Sequence, residues 1–167
     1  TRHYIDKKVD KSLLDEMLSA ANLAPSWKNS QTPRFYVATG EKSKNAVREA
    51  LPEFNRKNSE NASAYIVTTV VLNRSGFDKD GTAVTEIGNG WGYYDLGLNN
   101  MALLLKATEL GISTLVMGIR DGEKLRKEFD IPETEAVVSV IAVGYTDSEI
   151  VRPKRKSVED FAKFYED

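Results

Sequence analysis

The side chains of this chain that can do chemistry are gathered at a few places. The densest set lies between a helix-like run ending at Ala24 and an apolar run opening at Phe35. There Ser26, Lys28, Asn29, Ser30 and Gln31 surround Trp27. Pro25 lacks a backbone donor and biases Ala24 away from helical dihedrals, so the preceding helix stops here. The polar residues then occupy a loop held between two fixed elements, where binding groups tend to be placed. The same composition also suits an ordinary polar turn. A second concentration is Arg152-Pro153-Lys154-Arg155-Lys156, which reads as a solvated charge run or a weak nucleic-acid patch. Arg2 offers a guanidinium suited to bidentate phosphate recognition, or is a frayed terminal residue.

Other chemistries lack their residues. There is no cysteine, which excludes disulfides, thiolate catalysis and Cys-ligated metal sites. His3 is the single histidine, which argues against a His-based metal cluster or a Ser-His-Asp triad. No GxGxxG indicates a Rossmann-type NAD site, and no paired carboxylates or nucleophile elbow stand out. The net charge of −2 provides no overall basic field for nucleic acid. No apolar run approaches the ~18–20 residues of a membrane span, and no signal-peptide core opens the chain, so a cytoplasmic location is the default expectation.

The elements that must position these residues follow from periodicity. At 167 residues the chain is read as one domain, residues 1–167. Asp10 is placed to cap a helix from Lys11 to about Leu23, with Leu13, Leu14, Met17, Leu18 and Ala21 on one face. A strand is expected over Phe35–Thr39 and an amphipathic helix over Glu41–Leu51, with Ala46, Val47 and Leu51 inward. Residues 52–61 read as a loop or a poorly amphipathic helix. Ala64–Leu72 and Glu135–Tyr145 are β-branched, nearly continuous apolar runs that suit strands covered on both faces. Residues 73–89 are long for a connection and read as a flexible lid or a disordered surface loop. Trp91–Leu110 is apolar on more than one side, so a central, mostly buried helix is expected. Its Gly92 and Gly97 suggest close helix packing, including packing across a dimer axis. Gly111 suits a left-handed helix end, Ile112–Gly118 a short strand or turn, Glu123–Phe129 a helix, and Val158–Tyr165 a short helix.

Three separated blocks resemble the nitroreductase family of FMN-dependent oxidoreductases. The first is A-x-x-A-P-S-x-x-N-x-Q followed by an aromatic-led strand, standing here as Ala21, Ala24, Pro25, Ser26, Asn29, Gln31 and Phe35. The family often has Pro-Trp after the Gln, whereas this chain has Thr32-Pro33 and carries its Trp earlier, at Trp27. The second is Glu109-Leu110-Gly111-Ile112-Ser113-Thr114 leading to Gly118. The third is Val143-Gly144-Tyr145 with the basic segment that follows. Arg2 and Tyr4 match the last two positions of an N-terminal R-x-S-x-[RK]-x-[FY] pattern, so the resemblance implies that this flavin motif is truncated, its Arg and Ser preceding Thr1.

What the resemblance implies is an α+β fold: a three-layer α-β-α sandwich with a mainly antiparallel central sheet flanked by helices, dimeric, with FMN at the subunit interface of a homodimer. It implies flavin contacts from Pro25, Ser26, Trp27, Lys28 and Asn29, the loop lying against the partner's flavin. It implies Leu115 and Val116 against the ring, Met117 and Gly118 backbone near N5, and Arg2, Arg155 and Lys156 as cations for the phosphate, with Lys154 a weaker candidate. Asn55 falls roughly where some members place a flavin-contacting Asn. The chemistry implied is ping-pong: hydride from NAD(P)H through flavin N5 to an electron-poor small molecule such as a nitroaromatic or quinone. No catalytic side chain is required, because the flavin carries the chemistry. Neither nucleic acid nor a membrane is implied as a partner. A non-catalytic FMN-storage dimer, a specialised flavin reaction such as reductive dehalogenation, and a basic-tailed polyanion-binding module remain open.

Overall fold

The computed structural model describes residues 1–149 and 151–166. Four strands form one sheet in the order β1-β2-β4-β3, with every neighbouring pair antiparallel. They are β1 (Pro33–Ala38), β2 (Ala64–Val71), β3 (Ser113–Met117) and β4 (Glu135–Gly144). The two continuous apolar runs, β2 and β4, are the central strands; the more polar β1 and the short β3 lie at the edges. A bulge between Thr68 and Thr69 shifts the β2–β4 register.

Helices cover both faces, completing the α-β-α layering. One face carries α1 (Lys11–Asn22) and the long α4 (Gly90–Glu109). Their Leu14, Met17, Ala21, Leu103 and Ala107 bury against Ile66, Ile141 and Val143. The other carries α2 (Glu41–Glu49) and α5 (Gly122–Glu128), whose Val47 and Leu125 bury against Tyr65, Val67, Val140 and Ala142, with α3 (Glu53–Asn58) beside them. Full burial of each such aliphatic side chain contributes about 1.5–3 kcal/mol. The tail holds only one helical turn, α6 (Val158–Phe161), shorter than the run expected to Tyr165.

Several local expectations are corrected. Asp10 begins α1 through its backbone carbonyl, and its side chain makes no capping bond. A side chain that does cap is that of Asp121, which accepts from Lys124 N at the start of α5. Of the two readings of residues 52–61, the structure takes the helix, α3, which turns Asn55 inward. Helix α4 buries one face only: Tyr94, Met101 and Leu105 are 51–59% exposed within the single chain. Gly92 serves packing inside the chain, since a Cβ there would meet Val70 Cγ2 at 2.9 Å, while a Cβ at Gly97 would meet nothing within 4 Å.

Residues 73–89 form a closed loop. Asn73 N donates to Asn89 Oδ1 and Asn89 Nδ2 to Asn73 Oδ1, tying its ends, and Phe77 bridges Ala83 within it. Gly76, at φ +86°, is required at the base, where a Cβ would meet Gly88 O at 2.5 Å and the Trp91 ring at 2.7 Å.

Candidate functional site

The loop after α1 is built against the grain of the backbone. A single 3-10 turn spans Trp27–Asn29, and Lys28, Asn29 and Gln31 all have left-handed φ of 45°, 54° and 48°. For L-residues this conformation costs roughly 1–2 kcal/mol each, somewhat less for Asn, so the surroundings must impose it. Ser26 Oγ accepts from Gln31 N at 3.0 Å, and Ser26 O accepts from Asn29 N at 3.0 Å. Thr32 O accepts from Val71 N, anchoring the exit to β2. The Trp27 ring packs on Trp91 at 4.8 Å, and Trp91 in turn meets Tyr94 edge-on at 5.9 Å.

Sequence reasoning missed what lies beneath. Asp95 of α4 is 2% exposed, and its carboxylate accepts from Trp27 N and from Ser75 Oγ. Ser75 Oγ also lies 2.6 Å from Ser30 Oγ and 3.2 Å from Thr32 Oγ1. An acid in a helical pattern ordinarily faces water; the only hint was Asp95 standing beside Leu96 in an otherwise apolar stretch.

The predicted residues fall into four places. Pro25, Lys28 and Asn29 are exposed on the loop, while Ser26 and Trp27 are half-buried; Lys28 Nζ pairs with Asp78 across to the 73–89 loop at 3.2 Å. At the opposite sheet edge, strand alternation sends Leu115 and Met117 toward the α2/α5 core and leaves Val116 outward, 46% exposed. Met117 as a whole is 2% exposed, so the open backbone of this segment begins at Gly118. Gly118 is exposed with open space where a side chain would stand. Asn55 supports this segment from below: its Nδ2 donates to Ile119 O at 3.2 Å, and Asp121 N donates to Ala50 O. Arg2 is exposed beside Tyr4, whose buried ring lies over Gly144 at the far end of the sheet. Arg155 and Lys156 are exposed on the tail, and among the described residues Arg155 donates to Pro153 O alone.

The chain does not bring these four places together. β1, which the loop enters, and β3, which ends at Gly118, are three strand spacings apart, roughly 14 Å. A cleft of about 570 Å³ is lined by Ser26, Asn29, Gln31, Arg34 and Arg74. A larger groove of about 990 Å³ lies by the outer end of β1, between Lys7, Asp10, Val37 and Arg48, and contains none of the predicted residues.

The donor set nevertheless fits a flat apolar ring with an anionic arm. Gly118 and Val116 offer open backbone and apolar surface. The indole Nε1 of Trp27 is buried without a hydrogen-bond partner among the described residues. The ion pairs among the described residues leave the charges of Arg2, Arg155 and Lys156 unmatched. The fold that carries these features is an antiparallel α-β-α sandwich of the α+β class.

The nitroreductase family model matches residues 1–145. An Archaeoglobus fulgidus protein assigned as an NADH dehydrogenase/NAD(P)H nitroreductase is 27% identical over 155 residues, covering 89% of this chain and 80% of that protein. The crystal structure of a nitroreductase family protein from Streptococcus pneumoniae TIGR4 superposes with a TM-score of 0.83 at 23% identity, over 99% of this chain and 94% of that one. An oxidoreductase crystallised with FMN superposes at 0.76 and 25% identity, over 88% and 72% respectively. The chain belongs to the nitroreductase family, and with it to the flavin oxidoreductases that its sequence blocks resemble.

Proposed function

We propose that this chain is an NAD(P)H-dependent FMN oxidoreductase that acts as a homodimer and reduces an electron-poor small molecule such as a nitroaromatic or quinone. FMN held here would supply hydride transfer between NAD(P)H and the acceptor, in a ping-pong cycle. The observation that carries the reading is the separation of the two candidate flavin-facing segments to opposite sheet edges of one chain. A second copy supplies the missing half, placing one chain's Ser26–Asn29 loop against the partner's Gly118 edge.

The chain's own residues then have defined work. The exposed backbone at Gly118, next to the buried Met117, donates to the ring edge, and Val116 covers the ring. Arg2, Arg155 and Lys156 hold the phosphate by charge-assisted hydrogen bonds. Lys28 and Asn29, exposed on the left-handed turn, would bring an ammonium and an amide toward the ring once Lys28 leaves its ion pair with Asp78, and there favour negative charge. The outward face of α4, with Tyr94, Met101 and Leu105, supplies apolar surface for the dimer.

Steady-state oxidation of NADH and NADPH with FMN-loaded protein, at several fixed quinone concentrations, tests the reading. Parallel double-reciprocal lines are expected. No acceptor-dependent oxidation with either nucleotide would leave the flavin-storage reading in its place.

A further inference from the structure

Asp95 is a buried carboxylate, and none of the ion pairs among the described residues involves it. Ionised, it can only accept, and what it accepts comes from two pieces of chain remote in sequence. Trp27 N lies 3.1 Å from both carboxylate oxygens, and Ser75 Oγ lies 2.5 Å from Oδ2. Ser75 gives its one proton to Asp95 and Ser30 gives its own to Trp27 O, so the hydroxyl that donates to Ser75 is that of Thr32. The chain of hydroxyls therefore points toward the carboxylate and spans the whole loop from Trp27 to Thr32. This is the stretch with three left-handed residues in four positions, a conformation the chain does not adopt unaided. Hydrogen bonds to an ionised acceptor in a water-excluded site are about twice as strong as neutral ones. Asn99 Nδ2 donates to Asp95 O one turn on, fixing the helix under the carboxylate.

We propose that Asp95 is a positioning residue for FMN binding: it clamps the Trp27–Thr32 loop in its left-handed form, and that form presents Lys28 and Asn29 to the cofactor. This rests on the flavin reading above. The carboxylate accepts from Trp27 N and Ser75 Oγ at once; an amide keeps the shape but has one acceptor fewer, so Ser75 must reverse its proton and both bonds become neutral ones.

The test compares Asp95→Asn and Ser75→Ala with Glu135→Gln. Glu135 is also a buried carboxylate, but it accepts from Tyr36 and Thr69 within the sheet. Two readouts are taken on full-length protein: the Kd for FMN by flavin fluorescence quenching, and the near-ultraviolet circular dichroism of the flavin-free protein, where the Trp27–Trp91 pair reports the loop. D95N should weaken FMN at least tenfold and change the tryptophan signal. S75A should do the same to a smaller degree, and it carries the test if D95N does not fold. E135Q should lower thermal stability while leaving both readouts in place. D95N and S75A with the wild-type Kd and spectrum overturn the proposal alone, as does an equal loss of FMN affinity in E135Q. Wild-type protein that takes up no FMN overturns the flavin reading and the proposal with it.

Discussion

Replacing Gly92 by alanine sets two effects against each other within one helix. Alanine is favoured over glycine in a helix interior by about 1 kcal/mol. Against this, the new Cβ would stand 2.9 Å from Val70 Cγ2, on a β2 residue that is 1% exposed and cannot move aside freely. Overpacking of this kind costs about 1–3 kcal/mol. The net expectation is a loss of roughly 1 kcal/mol, which for a chain of this size lowers the melting temperature by about 2–4 °C. The clash has one named partner, so it can be relieved. In a Val70→Ala background the offending methyl is gone, and G92A should become neutral or stabilising. Denaturant unfolding of wild type, G92A, V70A and the double variant, at one fixed protein and FMN concentration, gives the coupling energy. A favourable coupling of about 1–2 kcal/mol is expected. A G92A variant more stable than wild type, or one that loses the same amount in both backgrounds, would refute the close-packing account of this glycine.

Further outcomes follow from other parts of the molecule. Met101→Asp or Leu105→Asp places a charge on the outward face of α4 and should convert a dimer to monomer in analytical ultracentrifugation, with loss of bound FMN. Arg155→Ala with Lys156→Ala should weaken FMN roughly tenfold or more, but riboflavin, which lacks the phosphate, hardly at all. The Tyr36 hydroxyl is pushed up to about 12 by burial first and by its hydrogen bond to Glu135 second. Its folded pKa lies above the ordinary 10.0, so the stabilisation is complete below pH 10 and is lost as pH rises toward 12. Tyr36→Phe should therefore lose less stability between pH 9 and 11 than wild type in urea titrations; the buried Tyr4, whose hydroxyl is also raised by desolvation, is common to both proteins.

What the sequence made legible was governed by local pattern. The β-branched runs at Ala64–Val71 and Glu135–Gly144 announce central strands, and the spacing of Leu14, Met17 and Ala21 announces the buried face of α1. Strand order is set by pairings such as Val70 with Ala136, which no local pattern carries; the antiparallel sheet was expected from the family resemblance alone. The apolar residues on two sides of α4 were real, but one chain has only enough structure to cover one side. The same holds for Phe161, Phe164 and Tyr165, 71–89% exposed at the tail. Pro25 and Gly111 marked helix ends correctly because their backbone chemistry is local. The network of Asp95 with Trp27 N, Ser75 and Thr32 was not legible, since its hydrogen-bonded partners are 20 to 68 residues apart and each side chain alone is an ordinary one.

The most direct test of the account is an anaerobic titration of the purified, FMN-supplemented protein with NADH and, separately, NADPH, followed by visible absorption. The account predicts the two-band spectrum of a bound oxidised flavin, and its bleaching by at least one nucleotide in stoichiometric amount. A protein that stays colourless after FMN is added and the excess removed would contradict it. So would a bound flavin that neither nucleotide bleaches.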